Sequence, residues 1–147
     1  MKQYDAIIIG FGKAGKNACC RTFQQRMAGC IVERSNEMYG GACPNVACIP
    51  TKSLIHESEI STLLYHDNFD KQSNMYTQAI ARKNKLTSFL RENNYERLSK
   101  RPNVTIYTGM GSFVSPNTVK VVLSEEEIEL QGKEILSIPA PRPSFRI

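Results

Sequence analysis

Asp5-Ala6-Ile7-Ile8-Ile9-Gly10-Phe11-Gly12-Lys13-Ala14-Gly15 is the stretch on which the reading of this chain turns. Residues 5–10 have the β-branched content and length of a short buried strand. They run directly into Gly10-x-Gly12-x-x-Gly15. A helix-like segment follows, from Lys16 to about Gln25, and a second apolar run, Cys30-Ile31-Val32, ends at Glu33. The acid stands 18 residues after the last glycine. Strand, glycine turn, helix, strand and acid form the βαβ unit of a dinucleotide site. Each position has a physical task. Gly10 makes the tight turn, Gly12 lets backbone approach a pyrophosphate, and Gly15 lets helix and strand pack closely. The helix N-terminus stabilises phosphate charge, and Glu33 accepts hydrogen bonds from a ribose. The bland alternative is a glycine-rich turn in an unrelated α/β domain.

Downstream lies Gly40-Gly41-Ala42-Cys43-Pro44-Asn45-Val46-Ala47-Cys48-Ile49-Pro50-Thr51-Lys52. Residues five apart in a regular helix have Cα atoms roughly 8–9 Å apart, whereas a disulfide needs about 4.4–6.8 Å. Cys43 and Cys48 can therefore close only if Cys43 lies in the turn leading into the helix and Cys48 in its first turns. Gly40, Gly41 and Pro44 supply that bend. A thiol at a helix N-terminus has its thiolate favoured by the unpaired N–H groups. The pair reads as a redox-active dithiol rather than a staple.

Together the two motifs resemble the class I pyridine nucleotide-disulfide oxidoreductases, which include dihydrolipoamide dehydrogenase, glutathione reductase and mercuric reductase. The wording of Gly10–Lys16, Ser35–Gly41 and Cys48–Lys52 is most like the mercuric-reductase-like branch linked to reactive chlorine resistance. The resemblance runs through nearly the whole chain and is most specific over residues 4–56. It implies that the dinucleotide is FAD. Gly10, Gly12 and Gly15 would then lie along its pyrophosphate, and Glu33 would bind the adenosine ribose. Gly40, Gly41 and Ala42 would line the flavin side, and Met110 and Gly111 would pass the adenine. Cys43 matches the interchange thiol that attacks substrate, and Cys48 the charge-transfer thiol facing the isoalloxazine. Lys52 matches the lysine near flavin N5. Electrons would pass from NAD(P)H to FAD, then to the Cys43–Cys48 disulfide, and on to a disulfide, metal-ion or oxidant acceptor. The cofactor carries the hard chemistry, and the protein supplies placement and electrostatics.

The chain departs from that family pattern at several positions. Ala42 replaces a Thr, so a hydroxyl near the flavin is missing. Ala47 replaces a Gly before the second cysteine and adds a Cβ in a place expected to be tight. The first helix ends at Arg26 rather than at a glycine, and Gly29 stands in the second strand, where glycine is disfavoured. Pro139-Ala140 replaces a Thr-Gly turn, and Pro139 has no N–H to offer a cofactor. Family members are also several times longer. The NAD(P)-binding and dimerisation domains, with the acid/base His-Glu pair, are not expected within these 147 residues. His56 and His66 are expected to be ordinary solvent-facing histidines.

Composition narrows the alternatives. The size suits one domain, and 41% hydrophobic residues is ordinary for a globular chain. No apolar run reaches the ~20 residues that span a bilayer, and no signal-peptide pattern is visible. A cytoplasmic setting without membrane partners is expected, where a cysteine pair is more often catalytic than structural. Cys19, Cys20 and Cys30 read as small buried apolar residues. Without a C-x2-C pair, no metal site is expected. The formal charge is +5. Residues 82–101 hold it all, with seven cations against the carboxylates of Glu92 and Glu96. Apolar residues at Ile80, Leu86, Phe89, Leu90 and Leu98 give that segment a roughly helical period. An amphipathic helix with a solvated basic face is the expected form, without nucleic-acid binding.

The fold class expected is α/β: a Rossmann-like FAD-binding half-domain with a redox-cysteine helix over about 43–64, a long helix over about 76–100 and a small β meander. Residues 65–75 read as a polar linker turn. Strands are expected at about 104–107, 112–114, 118–123, 127–130 and 134–138. Residues 1–138 would form the partial FAD-binding domain and 139–147 a loose tail. The partners implied are FAD and a second chain supplying the missing domains. Two other functions stay open: a truncated, non-catalytic relative that at most binds FAD, and a small thiol-redox module using Cys43 and Cys48 without flavin.

Overall fold

The computed structural model describes residues 1–24 and 27–138. Strand β1 (Lys2–Ile9) leads into helix α1 (Lys13–Gln24), and β2 (Gly29–Glu33) follows. A 3-10 turn (Asn36–Met38) and a short helix α2 (Ala42–Asn45) precede the long helices α3 (Cys48–Tyr65) and α4 (Phe69–Ser99). The chain closes with β3 (Val104–Thr108), β4 (Met110–Ser115), β5 (Thr118–Val122) and β6 (Glu127–Ser137).

The six strands make one sheet in the order β3-β2-β1-β6-β5-β4. β1 pairs in parallel with β2 and β6, and β2 in parallel with β3, while β4, β5 and the start of β6 are antiparallel. The alternating apolar residues of β1 and β2 separate into two cores, as strand geometry requires. Ile8 and Ile31 face the helices, where they pack with Phe11, Cys19 and Leu98. Ile7, Cys30 and Val32 face the meander, where they meet Tyr107, Val119, Val121 and Leu130. The parallel sheet is thus covered by helices on one face and by its own antiparallel extension on the other.

Four expectations change in detail. The redox segment is not one helix: it breaks at Val46-Ala47 between α2 and α3. Residues 65–75 are not a linker. Asn68 caps α4 by accepting from the Lys71 N–H (3.0 Å), and Gln72 reaches back to the Tyr65 carbonyl (2.9 Å). Helix therefore begins at Phe69, because a polar stretch with an Asn cap is also how a helix starts. The two closing strands are one strand, Glu127–Ser137, whose first half pairs with β5 and whose second half pairs with β1. Its built-in glycine, Gly132, is continued rather than broken, because its N–H bonds the Asn117 carbonyl (2.9 Å).

The fourth change concerns the long helix. Leu98 is fully buried, but Leu86 and Phe89 are exposed, and the buried residues of α4 are Ala79, Thr87 and Leu98. A helix of 31 residues is about 46 Å long, against about 17 Å for a five-residue strand. Only its C-terminal turns can lie on the sheet. The rest pairs with α3 as a helical hairpin, fastened by a two-point Arg82–Glu57 ion pair (2.6 and 2.8 Å). Residues Arg26 and 139–147, including Pro139-Ala140, lie outside the described residues.

Candidate functional site: a glycine turn against a thiol pair

The site is assembled at the C-terminal ends of β1, β2 and β3, where ligands bind in open α/β sheets. Gly10 leaves β1 with φ +107°, a conformation L side chains rarely adopt. Its N–H bonds the Val32 carbonyl (2.8 Å). Gly15 is buried, and a Cβ there would lie 2.0 Å from the Gly10 carbonyl oxygen. That contact is the close helix–strand packing expected of the third glycine. At Gly12 a Cβ would meet no atom within 4 Å. The space beside Gly12 is therefore open, as a passing pyrophosphate would need.

Glu33 stands at the end of β2 and turns its carboxylate back to the glycine turn. Its Oε2 accepts from the Phe11 N–H (2.8 Å), and Oε1 receives a longer contact from the Ser35 N–H (3.4 Å). A carboxylate has about four acceptor sites, so lone pairs remain for a hydroxyl donor. The Glu33 carbonyl accepts from the Gly109 N–H (2.8 Å). This bond ties the β3–β4 corner, with Met110 and Gly111, to the acid. Met110 is exposed there, and Gly111 lies against Val32 and Ile9.

The thiol segment is bent by two glycines at φ +94° and +82°, Gly40 and Gly41. A Cβ on Gly41 would fall 2.7 Å from the Gly12 Cα. The two glycine loops therefore touch, and the phosphate-type turn and the thiol pair share one surface. Cys43 sits in α2 and Cys48 opens α3. Both are exposed thiols here, within hydrogen-bond reach of one another. The Cys48 contact holds the Cys43 thiol above its ordinary range, while Lys13 and Lys52 act in the opposite direction. Lys52 is one turn beyond Cys48 on α3, so the two share a helix face. Ala42 opens α2, and its carbonyl accepts from both Val46 and Ala47 N–H groups (2.9 Å each). Ala47, with φ −120° and ψ −104°, marks the break between α2 and α3.

A clamp that sequence reading missed holds this segment to α4. Arg91 donates to Asn45 Oδ1 (3.1 Å) and pairs with Glu37. Asn45 in turn donates to the Tyr39 and Gly41 carbonyls (3.0 and 2.8 Å). Tyr39 stacks on Tyr95 (4.9 Å between centroids) and packs on Phe11 (5.1 Å). Asn94 lies so near Gly40 that a Cβ there would fall 2.4 Å from its amide nitrogen. These partners stand far apart in the chain, and no local spacing announces them.

The remaining candidates are placed elsewhere. His56 and His66 are exposed, and His66 pairs with Asp67 (2.8 Å). Cys19 and Cys30 are fully buried, and burial pushes both thiols up to about 12. Cys20 is half-buried. Among the described residues, no group of three or more His, Cys, Asp or Glu could hold a metal ion. No helix among them is long and apolar enough to cross a membrane.

Comparison with known proteins follows the same outline. No family model matches the chain. A probable pyridine nucleotide-disulfide oxidoreductase of Escherichia coli K12, RclA, is 36% identical over 135 residues, covering 92% of this chain and 28% of the relative. Dihydrolipoamide dehydrogenase of Chaetomium thermophilum is 34% identical over 140 residues, covering 90% and 27%. The Cu(II) complex of the HOCl-induced flavoprotein disulfide reductase RclA from Escherichia coli superposes with a TM-score of 0.82 at 36% identity, covering 94% of this chain and 29% of that one. The chain belongs to the class I pyridine nucleotide-disulfide oxidoreductases. Its relatives are oxidoreductases, and its α/β fold is that of the matching part of RclA. The chain spans less than a third of the length of these relatives.

Proposed function

We propose that this chain is the FAD-binding, thiol-bearing unit of a flavin-dependent disulfide reductase, and that Cys43 and Cys48 relay electrons to an acceptor. The carrying observation is the contact of Gly41 with Gly12, which sets the thiol pair against the dinucleotide-type turn. Gly10, Gly12 and Gly15 would line a pyrophosphate, which the backbone N–H groups at the α1 N-terminus would hold. Glu33 would take a ribose hydroxyl on its remaining lone pairs. Gly40, Gly41 and Ala42 would border the flavin, and Met110 and Gly111 the adenine. FAD supplies two-electron transfer from NAD(P)H when bound. On the protein side, reduction of a Cys43–Cys48 disulfide takes up two electrons and two protons and yields two thiols. Exposed Cys43 would then attack an acceptor disulfide, with Cys48 resolving the mixed disulfide and releasing the second thiol. Lys13 and Lys52 stabilise the Cys43 thiolate for that attack. The acceptor is a disulfide, an oxidant or a metal ion, and a relative solved as a Cu(II) complex favours the last.

Ala42, which offers no hydroxyl at the proposed flavin border, favours a second reading: a non-catalytic relative that holds FAD without turnover. Absorption spectra of the purified chain with FAD, then NAD(P)H, with and without a second chain supplying nicotinamide-binding parts, separate the two. Bound flavin that is bleached only with the second chain supports the relay. Bound flavin that no partner bleaches supports the second reading, and no bound flavin refutes both.

A further inference from the structure

A cleft of about 330 Å³ opens between α1 and the last turns of α4. It is lined by Lys16, Asn17, Cys20, Arg97, Lys100 and Arg101, together with Glu96. Glu96 is the one carboxylate among these residues, and Lys100 occupies it (2.6 Å). Among the described residues, four cationic side chains therefore share this concavity with the one carboxylate of Glu96. Lys16 is half-buried and held by Asn94 Oδ1 (2.5 Å), so its ammonium is fixed rather than swinging in solvent. Arg101 reaches back to the Arg97 carbonyl (3.4 Å), which keeps its guanidinium beside the cleft. Burial, and then the charge of Arg97 and of Lys13, lower the Lys16 amine from its ordinary range. Such crowding of like charge is relieved by an anion of two or more charges.

We propose that this cleft binds the di- or triphosphate group of a small molecule. Guanidinium groups match phosphate oxygens with paired N–H donors, and a fixed ammonium adds a point charge. Among the described residues, no aromatic ring lines the cleft, so recognition rests on the phosphates rather than on a stacked base.

The test is calorimetric titration of the full chain at low salt with tripolyphosphate, ADP and AMP. Saturable binding of tripolyphosphate is expected, weakened at least tenfold by Arg97→Gln and by a Lys100→Gln/Arg101→Gln pair. Lys120→Gln, on the meander, should leave it unchanged, and raised salt should weaken it by screening. Circular dichroism checks that each variant keeps its fold. ADP binding more tightly than tripolyphosphate identifies a nucleotide as the source of the phosphates, and the reverse order an inorganic one. Absence of saturable binding, AMP binding as tightly as ADP, or an affinity unmoved by Arg97→Gln overturns the proposal. The last result would place the anion at the glycine turn instead.

Discussion

Replacing Gly15 with alanine should break the site by force of geometry alone. The added Cβ would stand 2.0 Å from the Gly10 carbonyl oxygen and 3.2 Å from its carbon. Both neighbours are backbone, so no side chain can swing aside. The turn must retreat by more than about 1 Å to restore ordinary contact, an overpacking cost of about 1–3 kcal/mol. The retreat strains the Gly10 N–H bond to Val32 and the Phe11 N–H bond to the Glu33 carboxylate, both 2.8 Å. Loss of a neutral and a charged hydrogen bond adds about 2–4 kcal/mol. Alanine's better helix propensity returns about 1 kcal/mol. The net expectation is about 2–6 kcal/mol, a large part of the roughly 5–15 kcal/mol that holds a domain folded. Gly12→Ala is the control, because its Cβ enters open space. It should change stability by less than about 1 kcal/mol while weakening FAD binding, since the methyl occupies the space proposed for the pyrophosphate. Urea unfolding followed by far-ultraviolet circular dichroism measures both variants. A Gly15→Ala protein as stable as the wild type, or a Gly12→Ala protein as damaged as Gly15→Ala, would refute the packing argument.

Other outcomes follow from the same geometry. Mild oxidation should link Cys43 to Cys48, so peptide mass mapping should find that bridge, and Cys43→Ser or Cys48→Ser should each abolish it. At pH 8, iodoacetamide should label Cys43 and Cys48 well before Cys19 and Cys30, whose thiols burial pushes to about 12; equal rates would contradict their burial. Those raised values also set the sign of a pH effect. The unfolded chain loses the two protons near pH 9 and the folded chain near 12, so stability is full below about 9 and falls between 9 and 12. The slope approaches 1.4 kcal/mol per pH unit for each cysteine, and a chain equally stable in urea at pH 8 and 10.5 would count against it. Arg91→Ala should cost about 1 kcal/mol, since its bonds to Asn45 and Glu37 are partly screened by solvent. Amide exchange over residues 36–48 should rise in that variant, and unchanged protection would show that the clamp does not hold the thiol loop.

The βαβ unit was legible because its signals are local. A β-branched run, three glycines and an acid within 29 residues each state a backbone requirement that no other residue type meets as well. The thiol bend was legible for the same reason, since Gly40 and Gly41 announce positive φ. The break between α2 and α3 was not, because Val46 and Ala47 carry no helix-ending signal and the bend is set by packing. The start of α4 was obscured by a polar stretch that suits a loop and an N-cap equally. Its exposed Leu86 and Phe89 show that an apolar period names a face without naming what covers it.

Sequence alone determined the elements at the site, the residue types that could do redox chemistry, and the family to which the chain belongs. Those depend on interactions between near neighbours in the chain. Only the tertiary structure decided that Gly41 presses on Gly12, that Glu33 bonds the glycine turn, and that Arg91, Asn94 and Tyr95 of α4 grip the thiol loop. It also gathered Lys16 with Arg97, Lys100 and Arg101 into one cleft. These contacts join residues dozens of positions apart. Their existence depends on how the sheet stacks its helices, a property of the whole packed core that no local pattern encodes.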